Sequence, residues 1–207
     1  MAKTAKAARP VGRPRGGDGD ETRRHIISAA RSCYATYGYA ATTNRMIADA
    51  AGLTSAAIYH HFGQKHELML AVHEATEQAY VARIQEAIET VDGFTARAEA
   101  LLRVIHAVVV EDPEQIAFAT IARDEAGRHE ELAPIKQDRA YARLFEDLTD
   151  YGVETGEVRK ADRDEVQGAL AALATGLAVL GATVSPDRHA IATEGACRLV
   201  GARLLGG

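Results

Sequence analysis

The stretch YAATTNRMIADAAGLTSAAIYHHFGQKHEL, residues 39–68, decides the fold of this chain. A threonine hydroxyl accepts a hydrogen bond from an unpaired N–H at a helix start. Thr43 is therefore expected to cap a short helix over residues 44–50, and Thr54 a second one over residues 55–61. Gly52 lies between them, where the chain must turn sharply, because glycine takes a positive φ without steric cost. This pattern predicts a helix-turn-helix. Its small core is expected to be apolar: Ile47, Leu53, Ile58 and Phe62.

The same stretch carries a family resemblance. Its motifs are Thr42-Thr43, Ile47-Ala48, AGLT at residues 51–54, IYHHF at residues 58–62, and then Lys65 and Leu68. Their order and spacing resemble those of TetR-family bacterial transcriptional regulators, and the likeness covers residues 22–68. The resemblance implies an all-α fold of about nine helices. We expect a flexible basic arm at residues 1–20, a helix-turn-helix DNA-binding domain at residues 21–66, and a helical regulatory and dimerisation domain at residues 67–207.

The composition agrees with a helical, globular protein. Of the 207 residues, 47% are hydrophobic and only 5 are proline, while good helix formers dominate. Cys33 and Cys197 match neither a disulfide nor a metal-ligand spacing, and they are expected to be buried thiols in a reducing cytoplasm. No apolar run is long enough to span a membrane, and the basic N-terminus lacks the apolar segment of a signal peptide. We expect a cytoplasmic protein without a cofactor.

Charge is distributed unevenly along the chain. Residues 1–66 contain ten Lys and Arg against four Asp and Glu, a net charge of +6. Since the whole chain carries −5, the remaining residues carry −11. The basic part coincides with the predicted helix-turn-helix, and an acidic remainder would repel phosphates and keep DNA on one side of the molecule.

Position within the helix-turn-helix assigns DNA-contacting roles. The N-terminal residues of the second helix are expected to enter the major groove. Here they are Ser55, Ala56 and Ala57, which are shorter than in many family members. The alanine methyl groups can meet thymine methyls, and Ser55 can hydrogen-bond several base edges. None of the three makes the bidentate contact that separates bases by roughly 1–3 kcal/mol. Arg45 is therefore the best candidate to contact guanine. Phosphate contacts are expected from Thr43, Tyr59, His60 and Lys65, and Asn44 and Thr54 complete the predicted surface.

A second DNA contact is predicted in the arm. Residues 11–16, VGRPRG, are similar to the Gly-Arg-Pro core of AT-hook peptides. Arg13 and Arg15 would then lie in a narrow minor groove, where the negative potential is enhanced. The alternative is a solvated tail that adds only nonspecific attraction to phosphates.

Helical periodicity continues after the helix-turn-helix. Helices are expected at residues 22–37, 65–91, 94–111 and 162–181, from Pro113 onward, around residues 141–151, and from Pro186 onward. Residues 128–134 are expected to be a connection. In a TetR-like protein the helix beginning at Lys65 joins the DNA-binding domain (the head, residues 21–66) to the regulatory domain (the body, residues 67–207). Its tilt would therefore change the separation of the two heads in a dimer.

The helices after residue 94 offer two further predictions. The last two carry apolar residues at steps of three and four, which fit either an intramolecular core or the family's homodimer interface, and we favour the dimer. The predicted interface residues are Val166, Leu170, Leu173, Leu177, Leu180, Ile191 and Leu199. A pocket for a small-molecule effector is expected among the helices predicted at residues 94–111, from Pro113 onward, around residues 141–151 and at residues 162–181. Each apolar residue there is at least as well explained as plain core. Its predicted residues are Leu102, Ile105, His106, Val109, Phe118, Ile121, Arg123, Tyr141, Phe145 and Leu173.

The sequence favours a ligand-released repressor of a palindromic double-stranded DNA operator over two other functions. A metalloenzyme is disfavoured, because His66 and His73 are two helical turns apart and no HExxH motif occurs. We therefore expect neither a catalytic nor a metal site. An architectural protein that binds DNA without an effector would need only the arm and the helix-turn-helix, and so would leave the long region after Leu68 without a purpose.

Overall fold

A computed structural model describes residues 15–137 and 139–203, with side chains over 19–137 and 139–201. Within these residues the fold is all-α, as predicted, and no helix is long and apolar enough to cross a membrane. Arg13 lies outside the described residues, and so does the side chain of Arg15. The helices are α1 Arg15–Ala41, α2 Asn44–Ala51, α3 Ser55–Phe62, α4 Lys65–Glu89, α5 Phe94–Glu111, α6 Pro113–Glu125, α7 Ala133–Gln137, α8 Ala140–Glu154, α9 Arg163–Gly181 and α10 Pro186–Arg203.

The predicted helix-turn-helix is confirmed at its caps. The Thr43 hydroxyl accepts from the backbone N–H of Met46 at 3.2 Å, and the Thr54 hydroxyl accepts from that of Ala57 at 3.3 Å. Gly52 ends α2 in the left-handed region with φ 63°, a conformation that side chains with a Cβ rarely adopt. These three residues fix where both helices begin and how the chain turns between them.

The first helix is longer than predicted. It begins at Arg15 rather than at residue 22, so residues 15–20, which the sequence assigned to the arm, are helical. Asp20 and Glu21 place negative charge in the N-terminal half of the helix, where the helix dipole favours it. The predicted end at Gly38 appears as a kink with φ 77°, after which one further turn reaches Ala41.

Two apolar clusters hold the chain together. One joins α5 to parts of α4, α8, α9 and α10. The other fills the head between α1, α2, α3 and the start of α4, and it also contains Phe118, Ala122, Leu132 and Ile135 from the region after α5. The core of the head therefore does not stop at residue 66, because α6 and α7 complete it.

Gly152 lies where α8 approaches the start of α5. A Cβ added there would come within 2.7 Å of the Phe94 ring and of Val158. Gly152→Ala should therefore lower the free energy of unfolding by roughly 1–3 kcal/mol, as overpacking does. Urea denaturation at fixed protein concentration measures this. Gly19→Ala is the control, since that position in α1 meets no atom within 4 Å; equal stability of both variants would contradict the packing described.

Candidate DNA-binding surface and ligand cavity

The predicted DNA-contacting residues of α2 and α3 are mostly solvent-exposed. Ala56, Tyr59 and His60 are exposed on α3, as are the capping residues Thr43 and Thr54. Asn44, Ser55 and Ala57 are half-buried. The two threonine hydroxyls accept within the cap, which leaves each O–H free to donate to a phosphate oxygen.

Arg45 is the most available cation of this surface. Its side chain is 86% exposed, and its nearest carboxylate, that of the exposed Asp49, lies 3.9 Å away. An exposed ion pair at this distance contributes little stability. DNA can therefore replace Asp49 as the partner of Arg45 at small cost.

Lys65 is more constrained than the sequence predicted. Its ammonium donates to the carbonyl of Ala40 at 3.2 Å and lies 4.4 Å from the ring centroid of Tyr39. Loss of hydration lowers the pKa of Lys65 from its ordinary value. The lysine thus ties the start of α4 to the end of α1, and only its remaining N–H groups can reach a phosphate.

Arg23 is a further cation beside α3 that the sequence analysis did not assign. Its guanidinium carbon lies 5.0 Å from the ring centroid of Phe62, a cation–π contact between α1 and the end of α3. Phe62 and Arg23 are distant in sequence, so no local spacing signals the contact.

A cavity of about 460 Å³ lies in the body between α4, α6, α8 and α9. Four predicted pocket residues line it: Phe118, Arg123, Tyr141 and Phe145. The sequence did not assign any α4 side chain to the cavity wall, because α4 was expected only to join the head to the body. The α4 side chains on the wall are His73, Thr76, Glu77 and Tyr80.

The other predicted pocket residues lie elsewhere. Leu102, Ile105 and Val109 are buried in the core around α5. Pocket walls and core share the same apolar periodicity, so the sequence could not separate them. His106 stacks on the buried His189, their Nδ1 atoms 2.9 Å apart. Ile121 is half-buried on α6, and Leu173 lines a shallow groove between α9 and α10.

Aromatic rings and polar groups share the cavity wall. Tyr80 and Tyr141 stack with ring centroids 5.6 Å apart, and Phe145 meets Tyr141 edge-on at 4.8 Å. Burial raises the pKa of Tyr141 to about 12, although Arg123 acts in the opposite direction. Tyr141 is therefore a neutral hydroxyl near pH 7. No three histidine, cysteine or acidic side chains among the described residues are grouped so that they could hold a metal ion.

Helix α6 lies between this cavity and the head. Phe118 lines the cavity and is fully buried, and its ring centroid lies 6.2 Å from that of Tyr34 in α1. At the start of α6, Asp112 caps the helix and accepts from Arg31 at 2.7 Å. A ligand that moves α6 would therefore press directly on α1, a connection that the sequence analysis, which considered only α4, did not predict.

The predicted interface residues divide between two environments. Val166, Leu170 and Leu177 are buried in the core of their own chain. Ile191 is 70% exposed and Leu199 is 47% exposed, while Leu173 and Leu180 are half-buried. We define the α9–α10 face as Ala172, Leu173, Gly176, Ile191, Gly195 and Leu199.

An exposed helix-turn-helix joined to a helical body with a ligand-sized cavity is typical of DNA-binding regulators. Residues 26–72 match the family model described as bacterial regulatory proteins, tetR family. The repressor AcnR of Corynebacterium efficiens is 30% identical over 146 residues, which cover 70% of this chain and 69% of AcnR. The chain belongs to the TetR family of bacterial transcriptional regulators.

Solved structures share the fold. A transcriptional regulator from Saccharomonospora viridis in complex with choline aligns with a TM-score of 0.76 at 20% identity, covering 91% of this chain and all of that one. AibR, in complex with isovaleryl coenzyme A and operator DNA, aligns with a TM-score of 0.68 at 18% identity, covering 86% and 97% of the two chains. At these identities the likeness concerns the fold.

Arg45→Ala should relax base preference at one position of each half-site, because a bidentate Arg–guanine contact discriminates by roughly 1–3 kcal/mol. Selection of bound sequences from a randomised pool measures this. Arg143→Ala, which removes an exposed arginine from α8, is the matched control and should leave the preference intact. An unchanged preference in Arg45→Ala would remove this role.

Proposed function

We propose that this protein is a homodimeric repressor that binds a palindromic operator and is released by a small, largely apolar effector. The position of α6 carries the proposal, because the helix contributes to the cavity wall and to the core of the head. Repressors are among the relatives, AcnR included. AibR, which shares the fold, was solved with both an acyl-coenzyme A and operator DNA.

Operator contact is assigned to the exposed head. Ser55, Ala56 and Ala57 would face the major groove, with Arg45 contacting guanine from α2. Thr43, Tyr59 and His60 would donate to phosphates. Such contacts make affinity fall with salt, since each neutralised phosphate releases counterions.

Dimerisation is assigned to the α9–α10 face. Two large apolar side chains, Ile191 and Leu199, are exposed there. A Cβ added at Gly176 or Gly195 would meet no atom within 4 Å, so the same face also has room for a partner helix to approach closely. A two-fold axis through this face would present two heads to two half-sites, which are spaced by one turn of DNA.

Release follows from a difference in affinity. An effector that fits the cavity better when α6 has moved lowers the affinity of the protein for the operator. Because coupling is reciprocal, the operator lowers the affinity for the effector by the same factor. Two helices would transmit the movement to the head. Helix α6 would do so through Phe118 and the Arg31–Asp112 ion pair, and α4 through its start at Lys65.

The alternative is a DNA-binding or architectural protein that responds to no effector. Such a protein would use the same head, and the arm with Arg13 and Arg15. Nothing bound in the body would then change its affinity for DNA. The cavity between α4, α6, α8 and α9 favours the regulated form.

Replacing Ile191 and Leu199 together by glutamate should convert the dimer to monomers, because carboxylates would be buried without partners at the interface. Sedimentation velocity measures the mass. Val110→Glu is the control, since Val110 is an exposed apolar residue on α5, outside the α9–α10 face. A dimer that survives the double substitution would rule out this face.

Operator binding should increase amide hydrogen-exchange protection in α6, because coupling between the two sites is reciprocal. Arg31→Ala should weaken that response by removing the ion pair with Asp112. Arg83→Ala is the matched control: its ion pair with Glu111 is also 2.7 Å long but joins α4 to α5 within the body. No change in α6 of the wild type on operator binding would contradict coupling through this helix.

A further inference from the structure

Two cations with solvent-exposed side chains border the cavity. Arg123 on α6 and Lys136 on α7 both line the cavity, and neither is in an ion pair with any described residue. The acids nearest to Arg123 in sequence are engaged elsewhere. Asp124 pairs with Arg128 at 2.8 Å, and Glu125 faces His129 at 3.2 Å.

Among the described residues, Glu77 is the one carboxylate that lines the cavity, and it is already engaged. Glu77 accepts the backbone N–H of Tyr141 at 3.2 Å, in the first turn of α8, where negative charge is favoured. Its other oxygen lies 3.1 Å from Nε2 of His73. Glu77 thus stabilises the start of α8. Among the described residues of the wall, Arg123 and Lys136 remain without a carboxylate partner.

The rest of the cavity wall suits the apolar part of a ligand. Phe118, Phe145 and the stacked pair Tyr80 and Tyr141 surround the space with aromatic rings. The Tyr80 hydroxyl is buried within this wall, beside Tyr141. A pocket of this size and lining accepts a small organic molecule.

From these observations we propose that the cavity binds an amphipathic anion: an aromatic or acyl group against the rings, with its negative group at Arg123 and Lys136. The inference rests on the proposed function, because it names the class of effector for the same cavity. The anionic group is either a free carboxylate or the phosphates of a coenzyme A thioester.

The test uses three probes with one ring system. Naphthalene-2-carboxylate is the anion, naphthalene-2-carboxamide the neutral analogue, and naphthalen-2-ylmethylammonium the cation. Calorimetric titration of the full-length protein should show the carboxylate binding about tenfold tighter than either analogue, because charge-assisted hydrogen bonds are the stronger ones. Benzoyl coenzyme A, with coenzyme A alone as its control, tests the thioester source.

Two sets of variants locate the anion. Arg123→Gln combined with Lys136→Gln should abolish the preference for the anion over the amide. Arg143→Gln combined with Lys160→Gln removes the same charge from exposed positions that do not line the cavity, and it should preserve the preference. Ala119→Leu, which fills space on the α6 wall, should weaken all probes alike.

The outcomes separate this inference from the proposed function. A preference for either anion source that depends on Arg123 and Lys136 supports the inference. The inference is overturned if acid and amide bind equally and benzoyl coenzyme A does not bind, or if the preference for the anion survives the double substitution. A neutral or cationic effector could still release DNA in either case. Anion binding that leaves operator affinity unchanged would instead count against the proposed release mechanism and leave the ligand class standing.

Discussion

The packing of Phe118 against Tyr34 joins the helical body to the DNA-binding head. Phe118 belongs to α6, yet it completes the core of the head and lines the cavity of the body. A fully buried aromatic ring cannot shift without moving its neighbours, since protein interiors are close-packed. The head is thus held by the helix that any ligand in the cavity would touch. The Arg31–Asp112 ion pair at the start of α6 adds a second tie between the same two helices.

The head and the body also differ in how their charged side chains are paired. The head carries an exposed Arg45 with only a loose partner, while many charges of the body are paired, as Arg83 is with Glu111 and Arg163 with Asp150. Arg123 and Lys136 depart from that pattern in a region that is acidic overall. Both side chains are solvent-exposed and remain hydrated, and their position beside the aromatic rings of the cavity leaves them available to an anionic ligand.

The helix-turn-helix could be predicted from sequence because its determinants are local. Thr43, Gly52 and Thr54 act within one turn of their own positions, and each acts in the structure as predicted. The start of α1 and the cavity wall could not be predicted in the same way. Apolar residues such as Ile105 and Phe118 have the same helical periodicity, and only the packing of α4, α6, α8 and α9 decides which of them borders a space. The role of α6 likewise depends on Tyr34 and Phe118 meeting across 84 residues of chain.

If the protein is the dimeric repressor proposed above, it recognises a specific, two-fold symmetric DNA sequence. Genomic fragments bound by the purified protein at physiological salt can be selected and sequenced to test this. We expect enriched fragments that share an inverted repeat, with half-sites about one helical turn apart and bound by a whole number of dimers. Fragments without any shared sequence, bound no better than scrambled DNA, would contradict the proposal.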